Sequence, residues 1–261
     1  MPQNPIRVRV DGCAGTIVLN RPDCENALTR DMLTDIQQAL ADLYRDKRVR
    51  AVILTGAGAA FCTGMDLNER CRTAARDDAL TQWGQEAEAY RGVLLDMLDL
   101  PKPIIAAVNG PAIAGGAGLV LASDIVVGCE PAQFGLPEPR QGVVAGVVSP
   151  LLCFRIGAGH AGRLLLTSAI IPASEAEAIG LYHECVSSEK VWARAVQLAG
   201  ECAKGAPEAV QLTKRMLSET MGEHLATQLA AGAAFNAAAH TTLAAAEGRS
   251  AFQQNRCPDW G

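Results

Sequence analysis

Residues 103–123 run for 21 positions without a charged side chain. A run of that length either crosses a bilayer or lies inside a folded protein, so it limits the fold more than any other stretch. Its content decides between the two. Asn109-Gly110-Pro111 and the glycines at 115, 116 and 118 interrupt it, where a membrane helix would have to continue. The segment predicts a buried strand over 103–108, a turn, and a buried helix. A strand and a helix without polar faces must be covered on both sides, which asks for a layered α/β core.

The remaining sequence fits such a core. A chain of 261 residues can bury roughly 70–75% of its unfolded surface and needs neither metal nor disulfide to hold together. Lys and Arg number 23 against 28 Asp and Glu, a net charge of -5. That balance argues against nucleic acid or an anionic membrane as a partner. The nine cysteines show no CxxC pair and no zinc-ligand spacing with histidine, so no metal site is expected. Reduced cysteines and an N-terminus without an apolar run predict a cytoplasmic protein.

Short apolar runs alternate with helical periodicities. Residues 16–19 read as a strand closed by Asn20-Arg21-Pro22. A helix is predicted over 28–45, with Met32, Leu33, Ile36, Leu40 and Leu43 on one face and Thr29 as its N-cap. Residues 49–54 form a second strand, 67–100 an interrupted helix and 125–127 a fourth strand. Beyond 144 the chain reads as helical, apart from a strand near 182–186. Ser174-Glu175-Ala176-Glu177 has the form of a capping box. The units at 16–45, 49–100 and 103–123 make a crude repeat, too unequal for a regular solenoid.

Four segments carry residues of chemical interest. Gly56-x-Gly58-x-x-Phe61 follows a strand but lacks the third glycine and the first-unit position of a dinucleotide fingerprint. Residues 58–67 and 102–118 each set glycines between a buried strand and a helix start. This pattern serves either tight helix–strand packing or a pair of free amides facing one anion. In residues 132–142, Glu138 stands between Pro137 and Pro139. It is either a solvated loop charge or a desolvated acid/base with a raised pKa, and a pairing with Arg140 would lower that pKa instead. Asp66 reads as a helix cap. Glu25 is either solvated or faces a ligand entrance. His160, His183, His224 and His240 have no triad or metal spacing and read as structural. Arg70-Cys71-Arg72 and Arg76-Asp77-Asp78 read as solvated helix faces.

Taken together, these segments resemble the crotonase (enoyl-CoA hydratase/isomerase) superfamily. The matching pieces are Arg21-Pro22-x-x-x-Asn26-Ala27-Leu28, residues 51–56, Phe61-Cys62-Thr63-Gly64-Met65-Asp66-Leu67, residues 102–110, Gly115-Gly116, Ala122-Ser123-Asp124-Ile125, and Phe134-Gly135-Leu136-Pro137-Glu138. They stand in the family's order and spacing, cover most of residues 6–190, and are joined by Ala251-Phe252 near the end. The resemblance implies a spiral of ββα units over 1–195 and a helical region over 196–261 that covers the site and builds a homotrimer or hexamer. It implies an acyl-CoA substrate, with coenzyme A as part of that substrate and no tightly bound cofactor. By motif position, the Met65 and Gly115 amides would form an oxyanion hole and Glu138 would be an acid/base. Asn26, Ala27, Leu28, Cys62, Gly64, Asp66, Leu67, Ala106, Gly116, Gly118 and Pro137 would line the substrate path. Phe252 would reach the nucleotide of a neighbouring subunit's ligand.

One departure bears on the reaction. Hydratases of the family use two glutamates, the first three residues after the oxyanion-hole glycine; here that position is Gly118. The glycine run usual after the second glutamate is also bulkier here, over 142–150. Syn hydration is easiest with two acid/base groups, and losing one costs roughly 10²-fold or more. Moving a double bond needs a single base, the layout of the family's Δ3,Δ2-enoyl-CoA isomerases. The expectation is therefore isomerisation by Glu138. The alternatives are hydration or aromatic hydratase–lyase chemistry with one glutamate, or a non-catalytic acyl-CoA-binding chain.

Overall fold

The computed structural model describes residues 4–221 and 224–261. A hairpin of β1 (Ile6–Asp11) and β2 (Ala14–Leu19) opens the chain, followed by α1 (Arg30–Arg45) and β3 (Ala51–Gly56). Helices α2 (Leu67–Ala74) and α3 (Ala79–Asp99) lead to β4 (Ile104–Val108), β5 (Ala112–Ile113), α4 (Gly115–Leu121), β6 (Ile125–Cys129) and β7 (Gln133–Gly135). After a 3-10 turn at Glu138–Gln141 come α5 (Ser149–Thr167), β8 (Ile170–Pro172), α6 (Ala173–Ala178) and β9 (Glu184–Val186). Four helices finish the chain: α7 (Val191–Ala203), α8 (Pro207–Met221), α9 (Leu225–Ala239) and α10 (Leu243–Gln253).

The larger sheet has the order β1-β2-β3-β4-β6-β9, and every pair is parallel except the β1–β2 hairpin. A smaller sheet, β5-β7-β8, stands beside it. Each turn of the chain adds a strand to the large sheet, and the later turns add one to the small sheet, giving the expected spiral. All five β4 residues are buried, as a central parallel strand covered on both faces requires. The apolar stretch that opened the sequence reading is thus β4, a turn, β5 and the fully buried α4. Thr29 caps α1, its hydroxyl accepting from the Met32 amide at 3.3 Å.

Some expectations are corrected. β1 was not anticipated, because only Ile6 of its six residues is buried and its arginines face outward, as on an edge strand. β8 belongs to the small sheet and is too short to show a periodicity. Ser174 lies inside α6, whose N-cap is Pro172 without a side-chain cap bond. Residue 195 lies within α7, a continuous helix packed on β3, β4 and β6. Beyond it, α8 is pinned to the sheet by Lys214, and α9 packs on α3 and α5. α10 lies on the 138–141 turn. A Cβ on Gly248 would overlap the Gln141 carbonyl, and one on Gly146 would overlap the Gly232 carbonyl of α9. Small residues thus let the C-terminal helices close directly over Glu138.

Candidate active site

Two loops meet at the head of α4. Gly64, at φ +96, turns the chain after Cys62-Thr63. The loop is locked in parallel pairing by the Leu28 amide donating to Gly64 O (2.7 Å) and the Asp66 amide donating to Leu28 O (2.8 Å). Ala114 enters α4 at φ +52 and ψ -120, a backbone region that strains a side-chain-bearing residue. A Cβ on Gly64 would lie 3.1 Å from the Gly115 nitrogen, so the two loops touch there and only glycine permits it. Among the described residues, neither the Met65 nor the Gly115 amide donates to a protein acceptor.

Glu138 completes a cavity with Met65, Gly115, Tyr90 and Ala145. The side chain is 6% exposed and its Oε2 has no hydrogen-bond partner. Burial pushes its pKa up to about 7, against smaller lowering by its own backbone amide and by Arg70. Arg140 does not pair with it; that side chain is exposed and donates to Thr167 O. Of the two readings of this residue, the desolvated carboxyl is the one found.

The place of the missing glutamate is filled by another residue. A Cβ on Gly118 would overlap the Tyr90 hydroxyl. Tyr90, from α3, is 5% exposed and donates to Gly115 O at 2.6 Å. Burial raises its pKa well above 10, so the phenol stays neutral.

Sequence reasoning missed two further residues of this cavity. Arg70, read as a solvated face, instead points inward and pairs through Nε with Glu86 at 2.9 Å. Glu86 is 3% exposed and also faces Arg30 at 3.6 Å. The partner that turns Arg70 inward lies on another helix, and no spacing within α2 signals it.

Four of the other expected site residues have buried side chains that build the loops and the sheet. Asn26 is fully buried, accepting from the Arg21 amide and donating to Ala57 O and Ala60 O. Leu28, Cys62 and Ala106 are likewise 0% exposed, and Ala106 pairs with strands on both sides. These four side chains shape the segments that carry them. Gly116 packs on the Cys62 carbonyl, and Asp66 caps α2 while pairing with Arg21 at 2.9 Å. Ala27, Leu67 and Pro137 remain partly open, as does Glu25, which is exposed. Phe252 is 49% exposed and borders a cavity of its own chain with Leu67 and Arg70. Residues 56–61 bear no following helix and are held by Asn109, which accepts from the Gly56 amide and donates to Gly58 O.

The molecule is a mixed α/β spiral that brings a buried carboxyl to two unpaired amides, the layout of enzymes that act beside a carbonyl group. Comparison with known proteins gives the particular family. An enoyl-CoA hydratase/isomerase family model matches residues 11–261. A Thermus thermophilus protein named as a candidate enoyl-CoA hydratase is 41% identical, covering 95% of this chain and 97% of that protein. The Escherichia coli 2,3-dehydroadipyl-CoA hydratase is 33% identical, covering 94% and 93%. The crystal structure of an enoyl-CoA hydratase/isomerase from Mycobacterium paratuberculosis superposes with a TM-score of 0.86 at 29% identity, covering 94% of this chain and 97% of that one. The chain belongs to the enoyl-CoA hydratase/isomerase family.

Proposed function

We propose that this enzyme moves a double bond in an enoyl-CoA, with Glu138 as its single acid/base. The thioester oxygen would sit between the Met65 and Gly115 amides, which stabilise the enolate formed when Glu138 takes the C2 proton. Glu138 would then return that proton at C4. A carboxyl titrating near 7 is matched to both halves of this exchange. The observation that carries the reading is Tyr90. It occupies the space a glutamate at 118 would need, and its proton is committed to Gly115 O. Position 118 therefore offers no second group free to deliver a proton.

The test is conversion of a 3-enoyl-CoA to its 2-enoyl isomer by the purified protein, with crotonyl-CoA hydration measured in parallel. Isomerisation that drops at least ~10²-fold in Glu138→Gln supports the reading. Fast hydration with no isomerisation overturns it. Hydration is the second reading, favoured by the ion-paired Glu86 in the same cavity and by the hydratase names of the relatives. Under it, Glu86→Gln abolishes hydration. We also infer that the chain acts as a trimer or hexamer, supported by the exposed apolar Leu212 and Leu217 on α8.

A further inference from the structure

Past Arg70 the catalytic cavity adjoins a second chamber of about 60 Å³. Its walls are apolar at Leu67, Val143 and Phe252, but one side presents Arg70, His240 and Arg249. His240 is 3% exposed, and neither ring nitrogen has a hydrogen-bond partner. Its ring stacks on Trp83 with centroids 5.2 Å apart, and the Trp83 Nε1 is unpartnered too. Burial and the nearby Arg70 and Arg249 lower the His240 pKa to about 3, so the ring is neutral and offers one N–H. Arg249 donates to His240 O at 3.2 Å and lies over Trp83, but pairs with no carboxylate among the described residues. Arg70 engages Glu86 through Nε alone.

The charges around this chamber do not balance. Two arginines line it, Arg70 and Arg249, and only Arg70 pairs with a carboxylate among the described residues, Glu86 at 2.9 Å. A buried ring with no hydrogen-bond partner is costly, and beside a half-buried arginine with no carboxylate partner it marks a place suited to an anion.

We propose that this chamber binds a carboxylate at the far end of the acyl chain, making the substrate an ω-carboxyacyl-CoA; the inference rests on the acyl-CoA reading of the adjoining site. The Arg249 guanidinium and the His240 N–H would hold the carboxylate, with the free edge of Arg70 beside it. Arg70 lines both this chamber and the cavity that holds Glu138, so a short diacid would reach from one to the other.

The experiment is calorimetric titration of the full-length protein with glutaryl-CoA, adipyl-CoA, butyryl-CoA, hexanoyl-CoA and coenzyme A, together with C2 proton exchange in heavy water. A carboxylate bound by arginine should make one of the diacyl thioesters at least ~30-fold tighter than the alkyl thioesters. Arg249→Gln should collapse that ratio to near unity, and Arg249→Lys should give an intermediate value. Equal or tighter binding of the alkyl thioesters to the native protein overturns the proposal. So does an Arg249→Gln loss that is equal for all ligands including coenzyme A, which would assign Arg249 to a phosphate. Failure of exchange on every thioester would count against the proposed reaction alone, because the binding ratio is read independently.

Discussion

At the residue scale, Glu138 shows how burial changes what a side chain is for. Its neighbours in sequence are ordinary turn residues, and Arg140 two positions on suggested a neutralising partner. The fold sends Arg140 outward and covers Glu138 with α9 and α10, so desolvation wins over Coulomb attraction. This has a cost that can be measured. An unfolded glutamate ionises near 4.5, whereas the folded one holds its proton to about 7. Ionisation therefore favours the unfolded chain, and stability falls as pH rises through that window. Above it, the penalty is about 3 kcal/mol. Glu138→Gln should thus gain stability relative to the native protein between pH 5 and pH 8, read by urea denaturation at both values. A difference that is the same at both pH values would remove desolvation as the explanation. Tyr90 shows the complementary case: a glycine at 118 looks like a lost function in sequence, but in space the volume is reoccupied from another helix.

At the scale of elements, the helices were legible where their periodicity was strong and their partners lay nearby. Thr29, the α1 stripe and the β4–turn–α4 segment all announced themselves locally. The role of α8 did not. Lys214 is 7% exposed, and its ammonium reaches Asp124 at 2.7 Å and Met97 O at 3.0 Å. Asp124 also accepts from the Ile104 amide at 2.7 Å, so one carboxylate ties α8 to the start of β4. Lys214→Met should cost about 3 kcal/mol by leaving that carboxylate without its cation. Adding Asp124→Asn should recover part of the loss, as measured by chemical denaturation of the single and double variants. Additive losses would show that the pair is not coupled.

At the scale of the whole molecule, the C-terminal helices do two things. Their inner faces close the catalytic cavity, as small residues let α9 and α10 approach the 138–148 backbone. On α8, Leu212 and Leu217 are 63% and 55% exposed, an apolar surface suited to another copy of the chain. Light scattering should give three or six times 27.4 kDa, and Leu212→Glu should lower that mass. A native protein that scatters as a monomer at micromolar concentration would rule out the assembly. Among the described residues no helix is long and apolar enough to cross a membrane.

The sequence by itself determined the layered α/β spiral, the family, the two glycine loops and Glu138. These depend on local signals: apolar runs, turn residues, and motifs that keep their spacing along the chain. Tertiary structure alone decided that Glu138 is desolvated, that Tyr90 fills the space beside Gly118, and that Arg70 and His240 turn inward. Those outcomes depend on α2, α3, α9 and α10 meeting around one cavity. The helices lie far apart in sequence, and the energy of a buried charge is set by what surrounds it in space.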